Sequence, residues 1–336
     1  MVEPVGVGYR SRRAPPTGWP ANIQRDRYLT EDWTDMNDVS NSTLPRMRTL
    51  RTIGALRTAL LHPRGDGRRI GLVPTMGALH EGHVALVRRA RASCDVVVVT
   101  LFVNPTQFGE ASDLRAYPRD EERDELVAER AGADLLFAPE PDEIYPPGFA
   151  TTVRVGGVSG PLEGASRGAA HFDGVATIVA KLLNIVQPDV AYFGQKDAQQ
   201  VAVIRRLARD LDIPVEIEAC PTVRDPDGLA LSSRNARLRG DQRGRALALP
   251  RALDAARGAV RTGERDGAAI TAAARRAMSD AGVEPEYLEL VSPDTFIPVR
   301  CVDGEPVLVA VAARVGDVRL IDNELLNPTE PATGSL

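Results

Sequence analysis

Residues 71–90 read GLVPTMGALHEGHVALVRRA, and the order of those letters decides the fold. An apolar run climbs to Pro74, a turn of small residues carries His80 and His83, and helical spacing begins at once. That is the pattern of a buried strand, a tight turn and a helix N-terminus. The same change of period recurs downstream. Apolar runs at 69–74, 96–103, 133–138, 189–193 and 213–219 alternate with helical patterns near 83–92, 120–131, 174–186 and 197–210. Continuous β-branched runs separated by helices predict an α/β fold, a doubly wound parallel sheet buried on both faces.

The character changes after RDPDGLALSSRN (224–235). Ala- and Arg-rich helical patterns cover 241–261 and 266–281, and alternating strand patterns follow near 286–291, 307–313 and 317–321. Helices followed by short strands predict a smaller α+β C-terminal domain. The expected division is therefore 47–222 for the domain of the parallel sheet and 223–327 for the smaller C-terminal domain. Residues 1–46, rich in Pro, Arg, Asp and Ser without a sustained period, are expected to be a disordered tail, as are 328–336. No apolar run of a secretory signal occurs in 1–46.

A net charge of −5 and 4% aromatic residues argue against a nucleic-acid partner. The longest uninterrupted apolar stretch, VVVVTLFV at 96–103, is too short to span a bilayer, so no membrane partner is expected. Cys94, Cys220 and Cys301 are odd in number and scattered, as in a reduced, cytoplasmic protein. Arg so outnumbers Lys that Lys181 and Lys196 are the only lysines, which marks each as a position where a compact point charge is retained.

In a doubly wound sheet, ligands bind at the carboxyl ends of the strands, so the turn carrying His80 and His83 faces the site. Free N–H groups and the helix dipole favour an anion there, and Gly77 and Gly82 allow a close approach. A zinc motif needs histidines four apart, and a dinucleotide fingerprint needs G-x-G-x-x-G; HEGH at 80–83 supplies neither. It does match the H-x-G-H signature of nucleotidyltransferases, whose task is positioning and charge stabilisation at an α-phosphate. Asn104 and Gln107 in FVNPTQFG (102–109) follow the second apolar run and suit the hydroxyl and carboxylate of a small substrate. Lys196 opens the helix after the fourth run, Gln200 lies one turn on, and Ser232, Ser233 and Arg234 occupy a loop able to close on a triphosphate. Standing alone, FVNPTQFG would read as an ordinary polar loop, whereas Lys196 stands where a phosphate-directed lysine is expected.

Together, PTMGALHEGH, FVNPTQFG, YPR (117–119), HFDGVATIV (171–179), FGQKD and GLALSSRN resemble, in the same order, the pantothenate synthetase (pantoate–β-alanine ligase) family. The family is part of the Rossmann-like H-x-G-H nucleotidyltransferase superfamily. The resemblance spans about 48–325. It implies a two-step ligase reaction in vitamin B5 and coenzyme A biosynthesis, with ATP as substrate and Mg²⁺ accompanying it. Pantoate is adenylated with loss of pyrophosphate, and β-alanine then displaces AMP. By the family pattern Met76, Gly77, Ala78, Leu79, His80, Glu81, Gly82 and His83 hold ATP, with His80, His83 and Lys196 catalytic and His83 the family's proton donor. A carboxylate nucleophile needs no general base, so the residue chemistry favours charge stabilisation by both histidines. Gly194, Gln195, Lys196, Asp197, Val223, Leu231, Ser232, Ser233 and Arg234 complete the nucleotide site. Gln107 and Gln200 hold pantoate, Gln107 also adjoins β-alanine, and Asp124 is nominated as a Mg²⁺ contact.

The resemblance also implies a homodimer. Two departures stand out: Gln195 replaces the family's usual Glu, and Arg167 lies four residues before His171 where the family spacing is three. The alternatives are another H-x-G-H nucleotidyltransferase or a catalytically silent nucleotide-binding protein.

Overall fold

The structure, a computed structural model, describes residues 47–108, 114–115 and 117–328. Apart from Pro328, the expected tails lie outside the described residues, which run from Met47 to Pro328. The chain opens with β1 (Arg48–Leu50), α1 (Ile53–Gly65), β2 (Ile70–Thr75), α2 (Glu81–Ser93) and β3 (Val96–Leu101). It continues through α3 (Glu121–Ala131), β4 (Leu135–Phe137) and the short α4 (Pro141–Ile144) and α5 (Glu163–Arg167). Helix α6 (Ala169–Val186), β5 (Val190–Gly194), α7 (Ala198–Asp210) and β6 (Glu216–Cys220) complete the first sheet and its helices.

That sheet has six parallel strands in the order β1-β4-β3-β2-β5-β6. The VVVV run needs no alternation because both faces are covered. Val96 and Val98 enter the core on one face with α6 and α7, while Val97 and Val99 pack on the other with α2. Burying one such side chain is worth about 1.5–3 kcal/mol, so this strand alone is a strong anchor for the sheet. Chain order reverses between neighbours β2 and β5, and the crevice at their carboxyl ends is the topological switch point where such sheets bind ligands. The histidine turn leaves β2, and Lys196 leaves β5. Strand β1, three residues at the sheet edge, was not foreseen; it is too short to show a period.

A further α8 (Gln242–Ala246), α9 (Ala248–Arg261) and α10 (Gly267–Ser279) precede the antiparallel sheet β7 (Pro285–Val291), β8 (Val307–Val315) and β9 (Val318–Leu326). The single helix expected over 241–261 is two, broken at Leu247. Strand β8 also departs from simple alternation, with its residues buried from Val307 to Ala313. The cause is packing on both sides: Val309, Val311 and Ala313 meet α9 and α10, whereas Leu308 and Ala310 join the core of the first sheet.

Helix α6 is 18 residues long with a mean hydropathy of 1.3, enough in length and composition to cross a bilayer, although no uninterrupted apolar run announces it. In the fold it is a core helix, 72% buried, whose residues contact α1, α7 and β2.

Candidate active site

The histidine turn is set by backbone geometry first. Gly77 adopts φ 90°, and a Cβ there would stand 2.9 Å from Leu101 Cδ1 and 3.0 Å from Asp124 Oδ2. Glycine is therefore required twice over, by conformation and by space. Ala78 follows at φ 52°. The N–H groups of Ala78 and Leu79 both point at Asp124, whose Oδ2 and Oδ1 accept them at 2.8 and 2.7 Å. Asp124 is 1% exposed. It stands behind the turn as an anchor, with both oxygens engaged by backbone donors. Among the described residues, no group of three or more His, Cys, Asp or Glu side chains is placed to hold a metal ion.

His80 is the N-cap of α2, and its Nδ1 accepts the Gly82 N–H at 3.1 Å. His83, in the first turn, accepts the His80 N–H through its own Nδ1 at 3.3 Å, giving a reciprocal capping box. An Nδ1 that accepts carries no proton, so each neutral ring holds its hydrogen on Nε2. The rings lie 4.2 Å apart between centroids. Burial, and then the charge of Lys196, lower the His80 pKa. Burial, followed by the proximity of His80, lowers that of His83 to about 3. Both rings are therefore neutral N–H donors at pH 7.

These residues open onto a cleft of about 650 Å³. Met76, His80, Gly82 and His83 line it from β2 and α2; Gly194, Lys196, Asp197 and Gln200 line it from the β5 edge. Val223, Leu231, Ser232, Ser233 and Arg234 close its third side. The structure thus brings most of the residues expected from sequence into one space. Gly77, Ala78, Leu79, Glu81 and Gln195 are not among its walls. Leu79 is a core residue, 1% exposed, and Gln195 turns its amide nitrogen towards Asn323 Oδ1 at 3.4 Å.

The far wall fixes the orientation of Gln107. Asn104, 1% exposed, donates from Nδ2 to the Gly174 carbonyl at 3.1 Å and to Gln107 Oε1 at 3.0 Å. A carbonyl only accepts, so Nδ2 must be on that side. Asn104 Oδ1 in turn accepts the Tyr145 hydroxyl at 2.8 Å and the Thr106 hydroxyl at 2.9 Å. Gln107 therefore keeps its oxygen against Asn104, while its Nε2 donates to Met76 Sδ at 2.8 Å and has a second hydrogen to offer. The approach of α6 is close: a Cβ on Gly174 would be 2.5 Å from the Thr106 carbonyl. His171 donates from Nδ1 to the Gln107 carbonyl at 3.0 Å, the tautomer opposite to that of His80 and His83.

Sequence reasoning missed two groups of residues. Arg167 lines the cleft despite its shifted spacing, held by Glu163 Oε2 at 2.7 Å. Glu163 also takes two hydrogen bonds from Arg319 of β9, at 2.9 and 2.7 Å, and one from the Tyr287 hydroxyl at 2.9 Å. Burial alone would raise its pKa; the bonds from Arg319 and the charge of Arg167 outweigh this and hold it at about 2. On β9, Asp322 pairs with Arg224 at 2.6 and 3.0 Å, while Asn323 meets the Lys196 turn. No local motif announces residues that act across 98 or more positions of chain.

A parallel α/β sheet with neutral N–H donors, a lysine and an arginine gathered at its switch point has the form of a nucleotide-binding enzyme. Comparison with known proteins gives the particular family. The pantoate-beta-alanine ligase family model matches residues 48–325. The pantothenate synthetase of Cereibacter sphaeroides is 54% identical over 275 residues, covering 82% of this chain and 98% of the relative. The crystal structure of pantothenate synthetase from Thermus thermophilus superposes with a TM-score of 0.77 at 48% identity, covering 83% of this chain and 99% of that one. Pantoate-beta-alanine ligase from Francisella tularensis, solved with a β,γ-ATP compound and β-alanine, gives 0.68 at 33% identity, covering 84% and 100%. The chain belongs to the pantoate–β-alanine ligase family.

Proposed function

We propose that this cleft condenses pantoate with β-alanine at the expense of ATP, through a pantoyl-adenylate intermediate. The chain is an ATP-dependent ligase of pantothenate biosynthesis, as its family membership supports. The observation that carries the mechanism is the tautomer of the paired histidines: His80 and His83 keep Nδ1 in the helix cap and retain their protons on Nε2.

In the first step a pantoate carboxylate oxygen attacks the α-phosphorus, and the bond from that phosphorus to the bridging oxygen breaks, releasing pyrophosphate. The nucleophile is already ionised, so no base is needed. His80 and His83 donate hydrogen bonds to the phosphates as charge builds, each such donor being worth about 3 kcal/mol. Proton donation by His83 is disfavoured, because its pKa of about 3 leaves it without an imidazolium proton at pH 7. Lys196 and Arg234 balance the charge of the departing pyrophosphate, and Ser232 and Ser233 donate hydrogen bonds to it. Gln107 offers its second Nε2 hydrogen to a pantoate oxygen, and Gln200 supports it from α7. In the second step the neutral β-alanine amine attacks the acyl carbon, the bond from that carbon to the phosphate oxygen breaks, AMP leaves, and the amine's proton passes to solvent. Mg²⁺ enters on the ATP phosphates as part of the substrate, which requires no protein cage.

In this reading residues 47–222 hold ATP and pantoate, while 223–327 cover the triphosphate with Val223–Asp227 as hinge. Strand β9 already lies against the Lys196 turn, so the closing motion belongs to the Leu231–Arg234 loop. The enzyme acts as a cytoplasmic homodimer, which light scattering would read as twice the mass of the chain. The test of the reaction is product analysis with ATP, Mg²⁺, pantoate and β-alanine, each omitted in turn. Pantothenate and AMP in equal amounts, absent whenever one component is missing, support the assignment. AMP without an amide product, or transfer to a phosphate acceptor instead, would assign the cleft to another H-x-G-H transferase.

A further inference from the structure

Asn323 lies on β9, 127 residues from Lys196, yet it is bonded to the turn that carries the lysine. Its Nδ2 has two hydrogens, and both are used: one goes to the Gln195 carbonyl at 3.0 Å, the other to the Lys196 carbonyl at 2.8 Å. Carbonyls only accept, so the amide has one permitted orientation. Its Oδ1 then faces Gln195 Nε2 at 3.4 Å. Asn323 is 6% exposed and lines the cleft beside Lys196. A glutamate at 195 would set a carboxylate against Oδ1. Glutamine supplies the donor that this geometry needs.

The residue before it carries the second arm. Asp322, 3% exposed, takes both arms of the Arg224 guanidinium, and Arg224 also donates to the Gly228 carbonyl at 3.1 Å. Arg224 forms a bridge with Ala230, and the Leu231 N–H reaches the Val223 carbonyl at 2.9 Å. This small hairpin delivers Ser232 and Arg234 to the cleft. One dipeptide of β9 therefore fixes the root of Lys196 and the stem of the Ser-Ser-Arg loop.

We propose that Asn323 is a positioning residue for Lys196, setting the ammonium's place against the ATP phosphates through the backbone of residues 195 and 196. The proposal rests on the reading of Lys196 as a phosphate ligand. A displacement of about 1 Å at a reacting group costs on the order of 100-fold in rate, so a loosened turn is enough to be felt.

The test is a double-mutant cycle on adenylation, read as kcat/KM for ATP, with Lys196→Ala, Asn323→Ala and the double variant. Asn323→Ala is expected to lower kcat/KM for ATP by about 10-fold or more, leaving KM for β-alanine within about twofold. The double variant is expected to be no worse than Lys196→Ala alone, since Asn323 acts through that side chain. Where Asn323→Ala fails to fold, Asn323→Asp keeps the size, removes both donors and must give the same ATP-selective loss. Losses that multiply in the double variant, or KM values that rise alike for ATP and β-alanine, would overturn the proposal while leaving Lys196 as a ligand. Unchanged ATP kinetics in Lys196→Ala would overturn the reading of Lys196 and the proposal with it.

Discussion

His83 Nδ1 accepts the backbone N–H of His80 at 3.3 Å, so the second histidine of the H-x-G-H pair caps the helix that the first one begins. The capping geometry fixes the tautomer, and burial holds both rings neutral. A histidine whose folded pKa is depressed binds its proton more readily when unfolded. Stability is therefore full above about 6.5 and is lost as pH falls towards the folded value, about 3 for His83. Thermal melts from pH 7 to 5 should show the midpoint falling with acid, with a shallower slope in His83→Gln. Equal slopes for the two proteins would contradict the depressed pKa.

Asp124 receives two backbone N–H groups of the histidine turn from a buried position. Asp124→Ala leaves both without a partner, at about 1–3 kcal/mol each. The variant should melt lower and bind ATP more weakly, with its half-saturating free Mg²⁺ unchanged. A Mg²⁺ requirement that rises tenfold at constant stability would make the carboxylate a metal ligand instead.

How far the site was legible in the sequence follows from the same pair of residues. The H-x-G-H turn is written in contiguous letters after an apolar run, so its place at a strand end could be read directly. Asp124 could be numbered but not understood, because its partners lie 46 and 45 positions away and only the fold brings them together. Gln195 looked like a lost charge beside Lys196, whereas its side-chain nitrogen completes the bonding of Asn323. Strand β1 escaped for a different reason, since three residues carry no period. Apolar periodicity reports burial, and burial fixed the sheet. Pairings between distant polar groups have no periodic signature.

Tyr145 stands behind Asn104, which stands behind Gln107. Tyr145→Phe removes one hydrogen bond, worth about 1 kcal/mol, and should raise KM for pantoate about fivefold with little change for ATP. Gln107→Glu replaces the presented N–H by an acceptor and should abolish pantoate saturation. Steady-state kinetics with each substrate varied in turn will check both. A Gln107→Glu enzyme with ordinary pantoate affinity would show that an acceptor suffices there.

Glu163 joins Arg319 of β9 to Arg167 in the cleft. Removing the carboxylate in Glu163→Ala leaves two guanidinium groups facing each other, a loss of about 3–5 kcal/mol for a buried pair broken on one side. Its folded pKa of about 2 lies below the ordinary 4.5, so its contribution is complete above 4.5 and is lost as pH falls through the interval to 2. Chemical denaturation at pH 7 and pH 3 should show the wild-type advantage over Glu163→Ala shrinking in acid. An advantage that stays constant would mean the carboxylate is not held ionised by its arginines.

The central claim, an adenylate formed at the paired histidines, is tested most directly by exchange of labelled pyrophosphate into ATP with pantoate and Mg²⁺ present and β-alanine absent. The account predicts exchange that requires pantoate and falls by a hundredfold or more, on the order of one lost donor at the phosphates, in His80→Ala and in His83→Ala. No exchange from an enzyme that still makes pantothenate when β-alanine is added would contradict a free-standing adenylate step.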